Sequence, residues 1–198
     1  MKDLAIEHLN RYRTTPNLLT LLRICMAPFL VAAILEHRYG LSLGLFLAAG
    51  LTDALDGLLA RLLKQSSMLG QYLDPVADKL LLSTLFVVLM VQGLIPMLVT
   101  VLVFGRDVGI LVVAALLYAA TGRREFNPSI FGKANTLAQI LAVAAVLLHQ
   151  LTAVPWVVVF RQIALDATIG LTVASGLHYA WAAARRMGAQ APNGQGCK

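Results

Sequence analysis

The chain reads as an all-α integral membrane protein of six transmembrane helices, on three observations. Its 198 residues are 59% hydrophobic and only 13% charged, where a soluble domain of this size carries about 25% charge. Several apolar runs reach the roughly 20 residues that a helix needs to cross a bilayer. The basic residues sit mostly at the ends of those runs, so the net charge of +6 reads as membrane orientation and not as a nucleic-acid surface.

The expected spans lie near 17–36, 41–63, 73–92, 95–120, 131–151 and 155–183. Residues 1–15 precede them and interleave Leu4, Ile6 and Leu9 with charges. That pattern suits a short interfacial helix on the membrane surface; a frayed polar tail fits equally well. The first apolar run contains Arg23 and is followed by no small-residue cleavage site, so a removed signal peptide is not expected. Cys25 and Cys197 offer neither a disulfide framework nor metal-ligand spacing. A single domain is expected over 1–185, with 186–198, ending in APNGQGCK, as a disordered tail.

Lys and Arg set the orientation. Lys2, Arg11 and Arg13 come before the first span, Arg61 and Lys64 border the second loop, Arg123, Arg124 and Lys133 the fourth, and Arg185, Arg186 and Lys198 follow the last span. The other side has Arg38, the uncharged QGLIP and TAVP turns, and Arg161. Both termini and the second and fourth loops are therefore expected in the cytoplasm.

Four charges oppose the hydropathy: Asp53 and Asp56 in the second span, Asp74 and Asp78 at the start of the third. An aspartate deep in a span costs on the order of 2.5–3.5 kcal/mol by insertion scales, so four in one region call for a common partner. At 100° per residue Asp53 and Asp56 lie about 60° apart on one face, with Gly57 and Ala60 beside them, and Asp74 and Asp78 are four apart on the next helix. The two pairs are expected to face each other across a loop at 64–71 on the cytoplasmic side. Carboxylates without nearby His or Cys suit hard cations, Mg²⁺ or Mn²⁺, and four are enough for two ions with a pyrophosphate between them. Structural readings compete for parts of the pattern. Asp74 before Pro75 would suit a helix cap, and Gly50, Gly57 and Ala60 a small-residue packing seam. Neither accounts for Asp53 and Asp56 within a span.

The stretch from 53 to 78 resembles the signature of the CDP-alcohol phosphatidyltransferases at every position: Asp53, Asp56, Gly57, Ala60, Arg61, Gly70, Asp74 and Asp78. Six spans with cytoplasmic termini is also that family's arrangement. The resemblance implies a donor, CDP-diacylglycerol, whose phosphatidyl group passes to a glycerol-type acceptor with release of CMP. It implies two divalent ions on Asp53, Asp56, Asp74 and Asp78, with Asp78 also taking the acceptor's proton. Asp56, Gly57, Ala60, Arg61 and Gly70 would border the nucleotide, with Thr52 lining the same site. It further implies a homodimer in the lipid bilayer, active at the cytoplasmic face of a bacterial inner membrane.

Other segments narrow the branch. PNLLTLLRICMAP (16–28) resembles the first span of enzymes making phosphatidylglycerol phosphate or cardiolipin. GRDVGI (105–110) and GKANTLAQ (132–139) are most similar to the CMP-forming cardiolipin synthases, which favours phosphatidylglycerol over glycerol 3-phosphate as acceptor. In the phosphatidylglycerophosphate synthases Arg-Glu is expected where this chain has Arg106-Asp107, and a second Lys where it has Asn135. Arg106 and Lys133 are candidates for the acceptor's phosphate, Arg through paired donors and Lys as a point charge. An Arg106–Asp107 ion pair and a snorkelling Lys133 are the structural alternative. Arg23 is expected either to balance the acidic cluster or to touch a head group. Trp156, Tyr179 and Trp181 suit an aromatic belt. A cation-coupled transporter is the competing class; it lacks support from inverted repeats or paired broken helices.

Overall fold

The computed structural model describes the backbone of residues 15–63, 68–121, 130–152 and 154–188. It describes the side chains of 24–52, 79–110, 132–152 and 154–179, together with 112 and 181. The described backbone is all-helical, with six helices: α1 Thr15–Leu35, α2 Tyr39–Leu63, α3 Met68–Val91, α4 Met97–Thr121, α5 Ile130–Leu151 and α6 Pro155–Gly188. The shortest has 21 residues, about 30 Å at 1.5 Å per residue. By length and composition, Gly132–Leu151 and Pro155–Tyr179 are long and apolar enough to cross a membrane, and Ile24–Leu35, Tyr39–Thr52 and Lys79–Val91 are shorter apolar stretches.

The residue ranges expected for the spans match these helices, with two differences at the ends. Helix α3 starts at Met68, so the connection expected at 64–71 shrinks to 64–67, which lies outside the described residues. Asp74 and Pro75 are then within the helix, six and seven residues from its start, and Asp74 is not its cap. At the other end of the chain α6 runs to Gly188, three residues into the tail expected at 186–198. The remaining tail and the interfacial segment before Thr15 lie outside the described residues.

Helix ends have local causes. His37 takes a left-handed backbone (φ 58°) and so does Gly93 (φ 70°). In the first turn His37 N–H donates to Ile34 C=O at 3.0 Å and Arg38 N–H to Ala33 C=O at 2.8 Å. In the second, Gly93 N–H donates to Met90 C=O and Leu94 N–H to Leu89 C=O, both at 2.9 Å. Both are Schellman closures, which satisfy the last carbonyls of α1 and α3 and reverse the chain. Pro155 opens α6 at the first helical position, where its missing N–H costs nothing. Across the turns, Arg161 donates from Nη2 to Leu94 C=O at 2.9 Å.

The helices close a ring. α1 packs on α2 and α3, α2 on α5, α5 on α6, α6 on α4 and α4 on α3, while α3 also touches α5 across the middle. All six contribute to one apolar core, including Ile34, Phe46, Phe86, Val99, Val146 and Leu165. This core fills the end of the bundle where α1, α3 and α5 finish and α2, α4 and α6 begin. At the other end the buried positions turn polar: Asn135, Gln139, Thr172 and Ser175 are all buried. The outer surface carries exposed large apolar side chains such as Phe29, Leu47, Leu98, Trp156 and Ile163, the reverse of a water-soluble bundle.

Candidate active site

The polar end is assembled from four helices. On α4, Arg106 and Asp107 follow the buried Val99 by two helical turns and the buried Val103 by one, so the apolar stripe of this helix runs directly into an ion pair. Arg106 Nη1 donates to Asp107 Oδ1 at 2.6 Å, with side chains only 7% and 13% exposed. Lys79, on the neighbouring α3, places Nζ 3.1 Å from the same oxygen; its side chain is 41% exposed. On α6, Ser175 accepts from Arg106 Nε at 3.1 Å and donates to Thr172 C=O at 3.1 Å. The Tyr179 ring lies 6.0 Å from the Arg106 guanidinium carbon, within cation–π range. The guanidinium is therefore pinned by groups from α4 and α6 while Asp107 ties it to α3.

A neutral pair continues the network. Thr172 Oγ1 donates to Asn135 Oδ1 at 3.0 Å, joining α6 to α5. The Asn135 Nδ2 and Gln139 Nε2 amides, one turn apart on α5, are buried and have no hydrogen-bond partner among the described residues. Buried polar groups are nearly always paired in folded proteins, so these amides have donor capacity that the described residues do not use.

The sequence-predicted residues fall into two groups. Asp53, Asp56, Gly57, Ala60 and Arg61 lie along α2, and Gly70, Asp74 and Asp78 along α3; their side chains lie outside the described residues, as does that of Arg23. Among the described residues no three of His, Cys, Asp and Glu come together. Of the remaining candidates, Thr52 is half-buried, and its hydroxyl bonds back to Ala48 and Ala49 C=O of its own helix, both at 2.9 Å. Arg106 is in the network above. Lys133 is exposed on the first turn of α5 and forms no ion pair among the described residues. The structural alternative for Arg106 and Asp107 thus describes a real contact, but an incomplete one, because Lys79 shares it.

Four participants carry no motif that assigns them to the site. Lys79 directly follows Asp78, and a Lys at the edge of an apolar run is itself a signal. Thr172 and Ser175 looked like ordinary small residues of the last span. Tyr179, expected in an aromatic belt, is half-buried with its ring towards Arg106.

A family model described as CDP-alcohol phosphatidyltransferase matches residues 13–174. The chain belongs to this family. CDP-alcohol phosphatidyltransferases are membrane-bound and generally depend on divalent metals. The chain is similar to a protein of Rattus norvegicus named cardiolipin synthase (CMP-forming), 41% identical over 150 residues, covering 67% of this chain and 49% of the relative. The human protein of the same name is 40% identical over 150 residues, with the same coverage of 67% and 49%. A third relative, from Bacillus subtilis, is named CDP-diacylglycerol--glycerol-3-phosphate 3-phosphatidyltransferase. It is 34% identical over 182 residues, covering 83% of this chain and 92% of the relative. The chain spans about half the length of the two mammalian relatives.

Proposed function

We propose that this protein transfers the phosphatidyl group of CDP-diacylglycerol to the hydroxyl of phosphatidylglycerol, releasing CMP and forming cardiolipin. The observation that carries the reading is the complete eight-residue signature on α2 and α3 in a chain of this family. Helical register supports an inward position for its carboxylates. The buried positions of α2, Ser42, Phe46 and Ala49, continue at helical spacing to Asp53 and Asp56. Those of α3, Leu89, Phe86 and Leu82, run back at the same spacing to Asp78 and Asp74.

The donor set fits the divalent ions expected of the family: four carboxylates suit Mg²⁺ or Mn²⁺, and no softer ligand is in the signature. Asp53, Asp56, Asp74 and Asp78 would hold two such ions, which when bound supply charge stabilisation to the pyrophosphate. Thr52, Asp56, Gly57, Ala60, Arg61 and Gly70 border the nucleotide, the small residues leaving room and Arg61 meeting a phosphate. Asp78 takes the proton of the acceptor hydroxyl as its oxygen bonds to the β-phosphorus. The bond from that phosphorus to the bridging oxygen breaks, and CMP leaves with the electron pair. Arg106 faces the acceptor's phosphate.

Phosphatidylglycerol is favoured because Asn135 replaces the second lysine expected of the phosphatidylglycerophosphate synthases. Asn135 is fully buried and bonded to Thr172, so it offers a neutral amide where those enzymes would offer an ammonium. The Bacillus subtilis relative favours glycerol 3-phosphate as the second reading. We read all six helices as membrane spans with both termini cytoplasmic, from the Lys and Arg asymmetry. The same reading places the site at the cytoplasmic face, in a bacterial inner membrane. A homodimer is supported by the open surroundings of Gly105 and Gly109, four apart on α4.

The deciding experiment gives the purified full chain CDP-diacylglycerol with either acceptor and identifies the lipid formed. Cardiolipin with stoichiometric CMP is expected. Phosphatidylglycerol phosphate without cardiolipin would reverse the acceptor, and no CMP release with either would refute the transferase.

A further inference from the structure

We propose that Lys79 and Arg106 form the cation pair that binds the acceptor's phosphate, and that Asp107 is the residue that positions both. The proposal rests on the transferase reading above and names the partner of Arg106 in it: Lys79, not Lys133.

The geometry begins with one oxygen. Asp107 Oδ1 receives Arg106 Nη1 at 2.6 Å and Lys79 Nζ at 3.1 Å, so two cations from two helices converge on half of one carboxylate. Among the described residues of this cluster two positive charges meet one negative charge, and Arg106 is nearly enclosed at 7% exposure. Charge held away from water without full compensation is costly, and an incoming anion would relieve it.

Donor capacity points the same way. A guanidinium has five N–H donors and an ammonium three. Arg106 spends Nε on Ser175 and one Nη1 hydrogen on Asp107, and Lys79 spends one of its three on the same carboxylate. Nη2 of Arg106 makes no hydrogen bond among the described residues. Because the other two nitrogens are fixed by α4 and α6, the direction of Nη2 is fixed as well. A planar fork beside a point-charge donor, both bonded to one carboxylate oxygen, suits a tetrahedral phosphate oxygen set. The location suits the acceptor, since Lys79 directly follows Asp78, the residue assigned its proton.

Lys133 lacks these features. It is exposed and has no carboxylate among the described residues to orient it. A solvated, freely rotating ammonium contributes little to a defined phosphate site.

The test uses the full-length enzyme in detergent or proteoliposomes, with CDP-diacylglycerol saturating and phosphatidylglycerol varied. Lys79→Met keeps the aliphatic stem and removes the charge. It is expected to raise the acceptor KM about tenfold or more, the loss of one charged hydrogen bond, with kcat within about threefold and the donor KM unchanged. Lys133→Met is expected to leave the acceptor KM within about twofold. Asp107→Asn should raise the acceptor KM as Lys79→Met does, and Asp107→Glu should recover part of it. A purely structural Asp107 would instead lower the unfolding midpoint without moving the acceptor KM, and that result overturns its positioning role. An active Lys79→Met enzyme with wild-type acceptor KM overturns the cation pair. Wild-type enzyme that transfers to no acceptor refutes the transferase reading itself, an outcome distinct from either.

Discussion

Thr172→Val removes one hydroxyl from the polar end of the bundle and leaves the side-chain shape nearly unchanged. In the structure that hydroxyl is the donor to Asn135 Oδ1 at 3.0 Å, and Asn135 Nδ2 has no partner among the described residues. The substitution therefore removes the one hydrogen bond that the described residues give this fully buried amide. Hydrogen bonds between membrane helices average only about 0.6 kcal/mol, because a separated partner finds another bond. Asn135 is 0% exposed and has no other donor to it among the described residues, so the cost of an unsatisfied buried acceptor applies, about 1–3 kcal/mol. Asn135→Leu should cost less, because Thr172 then donates to its own helix, as Thr168 does to Ala164 C=O at 2.8 Å. Combining the two replaces both partners with apolar groups, which is nearly neutral in well-packed sites. The double variant is thus expected to be more stable than Thr172→Val alone. Equilibrium unfolding in mixed micelles, run as a double-mutant cycle, measures this. Additive costs would refute the reasoning, as would a Thr172→Val change below about 0.3 kcal/mol, far under the cost of an unsatisfied group.

Further outcomes follow from the site and the turns. Chelation of divalent ions should abolish CMP release, and Mg²⁺ or Mn²⁺ should restore it; full activity in excess EDTA after dialysis contradicts the carboxylate cluster. Asp78→Asn should lower turnover by about a hundredfold or more while largely sparing CDP-diacylglycerol binding, whereas Asp56→Asn should weaken metal and donor binding together. Turnover of Asp78→Asn within a few-fold of wild type removes it as the base. Gly93→Ala should destabilise the protein by about 1 kcal/mol, read as a lowered unfolding midpoint with unchanged activity. Nothing lies within 4 Å of the added methyl, so the cost is the left-handed backbone alone; an unchanged midpoint would contradict that.

The helices were legible because each is written as an apolar run of bilayer length, and the turns carry Gly93, Pro96 and Pro155 at their boundaries. The boundary errors share a cause. Gln71 looks like loop and Asp74-Pro75 like a helix start, yet α3 begins before them at Met68. Hydropathy drops at polar residues even where the backbone stays helical, so it ends a span before the helix does. The same effect hid residues 184–188 of α6. Arg161 illustrates the opposite end: counted in sequence as a charge for orientation, it is in the structure a donor to Leu94 C=O, fastening the turn between α3 and α4.

What the sequence determined by itself is the architecture and the chemistry of the signature: helix number, the apolar exterior, and four carboxylates spaced to share helix faces. These depend on order along the chain, which one-dimensional periodicity records. Only the tertiary structure decided which charges meet. Lys79 and Asp107 are 28 residues apart and Arg106 and Ser175 are 69 apart, and no spacing rule relates such positions. Their contact arises from the order of helices around the ring and the depth at which each is set. Both are properties of packing between helices, to which each helix contributes a face but not its neighbour.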